Sequence, residues 1–285
     1  MKFKSCLKVL CFFYCTSVIS AEPIIVRYSQ VEPRYEYMIN LLKLALSETA
    51  LSDGPFVLEP ILLGVTKSRQ IRIFSDDGFD VMWMPTTKER EENFLAIKIP
   101  LLKGILGYRV FMIRKERAQE FAKVNNLFDL KSKFVAGFGN QWADMEILKQ
   151  NGIRVQGQPM YKLLYPMLSR KRFDFFPRGL DEAWIEIKEI SESHPDIMIE
   201  DSLALYYSYP YYFFVKSDDQ KLADRIKRGL NILEKNGSFK DLFMRHHENF
   251  IDQANLGSRK LIKLINHKLP EGTLVPDTSW WLTDK

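Results

Sequence analysis

The chain has 285 residues, 46% of them hydrophobic and 27% charged, with a formal net charge of +5. That length supports one large or two medium domains with their own cores. All three cysteines, Cys6, Cys11 and Cys15, sit near the N-terminus, so the rest of the chain can form neither disulfides nor thiolate metal sites. Acidic residues are interleaved with basic ones almost everywhere, which excludes the continuous positive field that nucleic-acid binding needs, even around Ser169-Arg170-Lys171-Arg172.

Residues 1–21 read as a secretory leader. Lys2, Lys4 and Lys8 form its positive start, residues 9–19 its apolar stretch, and Ile19-Ser20-Ala21 a small-residue cleavage site before Glu22. The apolar run is too short to span a bilayer. Neither Cys11 nor Cys15 follows the small residues of a lipoprotein site. The expected product is a soluble, cysteine-free protein of the periplasm, closer to neutral once those lysines are removed.

Strand-like and helix-like runs then alternate, which predicts parallel sheets covered by helices. Residues 24–28 form an apolar strand, and Tyr37, Leu41, Leu42, Ala45 and Leu46 recur at helical spacing until Gly54-Pro55. A strand over 56–62 and a short helix from Thr66 follow, then a strand over 80–84 whose exit is Pro85-Thr86-Thr87-Lys88-Glu89-Arg90. Loops at such exits are where open α/β sheets place ligands. A second α/β unit runs from a strand over 108–113 through a charged helix over 115–124, a strand over 134–138 and the loop Gly139-Asn140-Gln141-Trp142 into a helix over 143–151. A helix over 161–172 feeds a strand over 173–176 that exits at Pro177-Arg178-Gly179. The aromatic run 206–215 is expected as one long returning strand. Helices follow over 218–235 and from Ser238 to Phe250, and residues 274–285 read as a strap pinned by Trp280 and Trp281.

Three stretches resemble the periplasmic solute-binding proteins that capture polar amino acids for ABC importers. They are Asp80-Val81-Met82-Trp83-Met84-Pro85-Thr86-Thr87-Lys88-Glu89-Arg90, residues 129–139, and residues 223–243 with the turn Asn236-Gly237-Ser238-Phe239. Tyr28-Ser29-Gln30, residues 99–109 and Phe176-Pro177-Arg178-Gly179 resemble a proteobacterial branch of that superfamily from which no ligand transfers. The resemblance implies an α/β, two-lobed type 2 periplasmic-binding fold, each lobe a mixed sheet flanked by helices, joined by a two-stranded hinge. Lobe one would comprise residues 22–104 and 208–285, the latter with the C-terminal strap, and lobe two residues 105–207.

A ligand would lie between the lobes, and the family's carboxylate-binding arginine falls on Arg90. A guanidinium fork suits a carboxylate bidentately. Its structural alternative is an ion pair with Glu91 or Asp80. Thr86 and Thr87 are the only hydroxyls at that exit, with Trp83 and Tyr28 as stacking walls. From lobe two, Asn140, Gln141 and Trp142 are candidates, at a helix start whose amides could receive an anion. Arg178 stands where amino-acid binders commonly carry an aspartate. Facing the cleft it would favour a second anionic group; paired with Asp181 it would be a structural cap. Asp181 or Glu182 would otherwise restore an ammonium contact.

The expected function is capture of a small polar or anionic, carboxylate-bearing ligand, with an ABC permease or a membrane sensor as partner and no nucleic acid. No motif implies a cofactor or metal, and a monomer is expected. The rival class, an enzyme that dehydrates a small molecule or cleaves cell-wall glycans, has little support: His246-His247 reads as a solvated helix face, and no His-Glu-x-x-His or Gly-x-Ser-x-Gly occurs.

Overall fold

The computed structural model describes residues 22–140, 142–276, 278–279 and 281–282. The expected leader, the candidate Gln141 and Trp280 lie outside the described residues. In chain order the strands are β1 (Ile24–Tyr28), β2 (Phe56–Pro60), β3 (Val81–Pro85), β4 (Phe94–Ile97), β5 (Tyr108–Arg114), β6 (Val135–Gly139), β7 (Arg154–Gln158), β8 (Phe175–Gly179), β9 (Ile197–Ile199), β10 (Leu203–Tyr206), β11 (Tyr211–Lys216) and β12 (Lys260–Lys263). They build a five-stranded sheet in the order β2-β1-β3-β11-β4 and a seven-stranded sheet in the order β12-β10-β5-β8-β6-β7, with β9 beside β5.

The central strand β3 shows why the first sheet forms where it does. Val81, Met82, Trp83 and Met84 are all buried, as a strand covered on both faces requires. β1 pairs with it in register only at Tyr28 and Val81. Beyond that point the Gln30 side chain replaces the ladder, accepting from the Trp83 amide at 2.9 Å and donating to the Trp83 carbonyl at 3.0 Å. On one flank the helix Glu36–Glu48, with Leu41, Leu42 and Ala45 buried, packs against the helix Gln220–Asn236. The two cross at Gly229, where an added Cβ would stand 1.9 Å from the Ala45 carbonyl oxygen. Arg225, 2% exposed, donates to the Leu46 carbonyl in the last turn of the first helix and to the carbonyls of Asp53 and Gly54 at the end of the short helix Ala50–Asp53.

The aromatic run is not one strand. Pro210 has no N–H for a ladder and separates β10 in one sheet from β11 in the other. Around the break, Tyr207 N–H donates to the Gly107 carbonyl at 3.2 Å and Thr86 N–H to the Pro210 carbonyl at 2.8 Å, so the return crossing is tied to both sheets. The chain crosses outward between β4 and β5, and after the helix Ser238–Ala254 it returns to the second sheet, where β12 runs parallel to β10. The expected exit Pro177-Arg178-Gly179 is also different: these residues complete β8, paired with Phe111, Val110 and Arg109 of β5. β6 pairs with β8 only at Ala136 and Phe175, so the missing Pro177 N–H faces no ladder on that side.

His247 corrects a third expectation. It is buried, stacked on Phe243 with centroids 4.5 Å apart and edge-on to Tyr37 at 4.7 Å, and its Nδ1 is 2.9 Å from the Phe243 carbonyl oxygen. Trp281 of the expected strap is likewise buried and donates to the Lys103 carbonyl at 2.8 Å. Desolvation first, then His246, pulls His247 down to about 4, opposed by the Phe243 carbonyl. The unfolded chain therefore binds the extra proton between about pH 6.5 and 4. Stability from this residue is full above that window and lost as pH falls through it, by up to about 3 kcal/mol. Urea melts at stepped pH should show a slope across the window that flattens in His247→Phe; an unchanged slope would contradict this origin.

Candidate functional site

A cavity of about 440 Å³ lies between the two sheets, walled by residues from both. Pro85 and Arg90 reach it from the β3 exit, Tyr209 and Tyr211 from the return crossing, and Arg109, Trp142, Asp144, Arg178 and Glu182 from the second sheet and its loops. The charge bookkeeping of these walls decides what the cavity can hold.

On the second-sheet side every cation is answered. Arg109, 6% exposed, donates to Asp144 at 2.9 Å and lies 5.1 Å over the Tyr207 ring, while the Tyr207 hydroxyl donates to the same carboxylate at 2.6 Å. Burial alone would lower the Arg109 guanidinium, but Tyr207 and Asp144 reverse that and the net shift is upward. Arg178 grips Glu186 through two nitrogens, with Nε donating at 2.6 Å, and meets Glu182 at 3.1 Å. Its guanidinium also lies 4.7 Å from the Trp142 ring and 4.9 Å from Phe176. Burial lowers it as well, and Glu182 and Glu186 overcome this.

Arg178 thus faces the cavity but is neutralised, and its partners are Glu182 and Glu186, not Asp181. The inference of a second anionic group from this cation does not hold. Asp181 is exposed and makes no ion pair among the described residues.

Arg90 differs. Neither sequence alternative forms: Glu91 takes Thr86 and Lys98, and Asp80 takes Arg27. Among the described residues Arg90 has no ion pair; its NH1 donates to the Pro85 carbonyl, and its amide to the Thr87 hydroxyl at 3.2 Å, the cap of the helix Lys88–Asn93. Burial pulls its guanidinium down, resisted by Tyr209, Tyr211 and Glu89. It remains a cation at neutral pH.

The other candidates divide. Trp142 is a wall of the cavity; Thr86, Thr87, Trp83, Tyr28 and Asn140 are not. Thr86 is buried, its hydroxyl donating to Glu91 at 2.6 Å. Trp83 is fully buried among Tyr28, Tyr35 and Phe213, and Tyr28 packs into the same core, so neither is a stacking wall. Asn140 is exposed, its amide donating to the Gln158 carbonyl at 3.1 Å. The helix after it, Met145–Gln150, starts behind Asp144, whose carboxylate makes no cap bond to the helix amides and is taken by Arg109 and Tyr207.

Sequence reasoning missed Arg109, Asp144, Tyr209, Tyr211 and Glu186. One signal was present: Arg178, Glu182 and Glu186 are spaced one helical turn apart, the arrangement that lets acids reach back to a cation. Removing Asp144 should leave Arg109 as a buried unpaired cation, so Asp144→Ala should lose about 3–5 kcal/mol in urea denaturation. A loss below about 1 kcal/mol, the range of an exposed pair, would mean that the pair is solvated.

No family model and no curated protein matches the sequence. Solved structures do resemble it. A histidine kinase sensor domain with similarity to periplasmic binding proteins matches with a TM-score of 0.53 and 16% identity over 79% of this chain and 96% of its own. An amino acid ABC transporter substrate-binding protein from Streptococcus pneumoniae, bound to L-arginine, matches with a TM-score of 0.53 and 11% identity over 79% and 94%. An ancestral amino acid-binding protein, a precursor of cyclohexadienyl dehydratase, matches with a TM-score of 0.50 and 16% identity over 73% and 84%. With two helix-flanked sheets and a cavity between them, the chain has the two-lobed α/β fold of periplasmic binding proteins.

Proposed function

We propose that the protein is a periplasmic solute-binding protein whose two lobes, one built on each sheet and with β12 (Lys260–Lys263) returned to the second, close over a small polar, carboxylate-bearing ligand delivered to an ABC importer. The observation that carries this reading is Arg90, a cavity-lining cation without a carboxylate among the described residues, next to walls whose other cations are paired. A ligand carboxylate would supply the missing charge bidentately, in a site where exclusion of water strengthens the contact. Asp181, within electrostatic reach of the cavity-lining Arg109 and Arg178, would leave a carboxylate for a ligand's ammonium group. Amino-acid binding by several solved neighbours supports the same ligand class.

A second reading, a receptor that reports the ligand to a membrane sensor, is favoured by the likeness to a histidine kinase sensor domain. Closure over the cleft would create the signalling surface in that case as in transport. Among the described residues no helix is long and apolar enough to cross a membrane, so the sensor would be a separate chain or lie outside them.

A thermal-shift screen of the mature chain against amino acids, dicarboxylates, sugars and polyamines tests the ligand class. A ligand at a hundred times its dissociation constant stabilises the folded state by about 2.7 kcal/mol, enough to raise the melting temperature by several degrees. The shift should be confined to carboxylate-bearing compounds and vanish in Arg90→Ala, which should itself melt cooperatively. Equal affinity in that variant would remove Arg90 as the anchor.

A further inference from the structure

In the proposed reading an acid group must find donors beside Arg90, and the β3 exit cannot supply them. Pro85 has no N–H, Thr86 spends its hydroxyl proton on Glu91, and Thr87, outside the cavity walls, caps the helix Lys88–Asn93. The return crossing presents two other donors. Tyr211 is the cross-strand partner of Pro85, the residue whose carbonyl Arg90 holds, so its side chain rises on the same face at that corner. Tyr209 lies two residues earlier, on the same side of the extended chain, and both line the cavity with Arg90. Neither phenol hydroxyl has a hydrogen-bond partner among the described residues, whereas Tyr37 and Tyr207, buried elsewhere, each donate to an acceptor.

We propose that the hydroxyls of Tyr209 and Tyr211 join the Arg90 guanidinium in a three-part oxyanion receptor at the junction of β3 and the return crossing. This deepens the reading above and rests on it: it names the groups that complete the anchor. Burial, followed for Tyr211 by Tyr35 and Tyr209 and for Tyr209 by Asp144, pushes both phenols up, so they stay protonated donors at neutral pH. The shared ligand chemistry is an oxyanion, planar as in a carboxylate or tetrahedral as in a phosphate. Because two of its three donors ride on the segment that links the sheets, anion binding would couple directly to the crossing between them.

Titration with acetate and with inorganic phosphate, each against matched chloride and read by calorimetry and melting temperature, tests this without the native ligand. The wild type should bind at least one of them specifically. Tyr209→Phe and Tyr211→Phe should each weaken that binding roughly tenfold, as expected for loss of a hydrogen bond to a charged group, at unchanged melting temperature of the free protein. Arg90→Ala should abolish it. Preference for acetate assigns the planar anion, preference for phosphate the tetrahedral one. Wild-type-like binding in both phenylalanine variants, with loss in Arg90→Ala, overturns the tyrosine receptor and leaves the Arg90 anchor standing. Binding that survives all three substitutions overturns both, and failure of the wild type to bind either anion overturns the receptor.

Discussion

A guanidinium withdrawn from water without a carboxylate is costly, and the organisation of this cavity is read most simply from where that cost is met and where it is left open. Arg109 and Arg178 are nearly buried, and each has acquired acids: Asp144 for the first, Glu182 and Glu186 for the second. Arg90 reaches the same space from the other sheet with the Pro85 carbonyl as the partner of its guanidinium among the described residues. The asymmetry sets the cavity's demand. One side is closed to further charge, and the other lacks an anion.

The fold produces this asymmetry through ordinary local chemistry. The hydrophobic β3 ends in Pro85, and Thr87 caps the short helix that follows, which sets Arg90 back against the strand it has just left. On the opposite side, helix starts bring acids to the cavity. Asp144 heads Met145–Gln150, and Glu182 lies in the first turn of Leu180–Ile190, where it also accepts from the Gly179 amide at 3.1 Å. Negative charge is favoured at such positions by the helix dipole, and here it is spent on buried arginines. The crossing at Tyr207–Pro210 then holds the two sides in one frame, through Gly107 of the second sheet and Thr86 of the first.

Much of this was legible in the sequence, and the failures share causes. β1, the helix Glu36–Glu48 and β3 carried strong periodicity or continuous apolar runs because they sit in the middle of the first layer. β4, β7, β9 and β12 were not foreseen, and all four lie at sheet edges, where short, half-exposed strands leave little hydrophobic pattern. Pro177 was read as a strand end because proline breaks ladders in general; here its bare side lies past the last paired residue of β6. Arg90 was legible as a site candidate because its loop pattern is local. The commitments of Thr86 to Glu91 and of Arg178 to Glu186 were less so, since residue type alone does not say which acid a side chain will reach. His247 was misplaced for a related reason: its helix is charged overall, and only the packing against Tyr37 and Phe243 reveals the buried face.

The central claim is that Arg90 alone among the cavity's arginines is open to an added anion. Arginine side-chain Nε resonances, assigned through single substitutions and followed by NMR while acetate is added, test it most directly. The account predicts that the Arg90 resonance moves and saturates while those of Arg109 and Arg178 stay in place. Movement of Arg178 or Arg109 with Arg90 unchanged would contradict it.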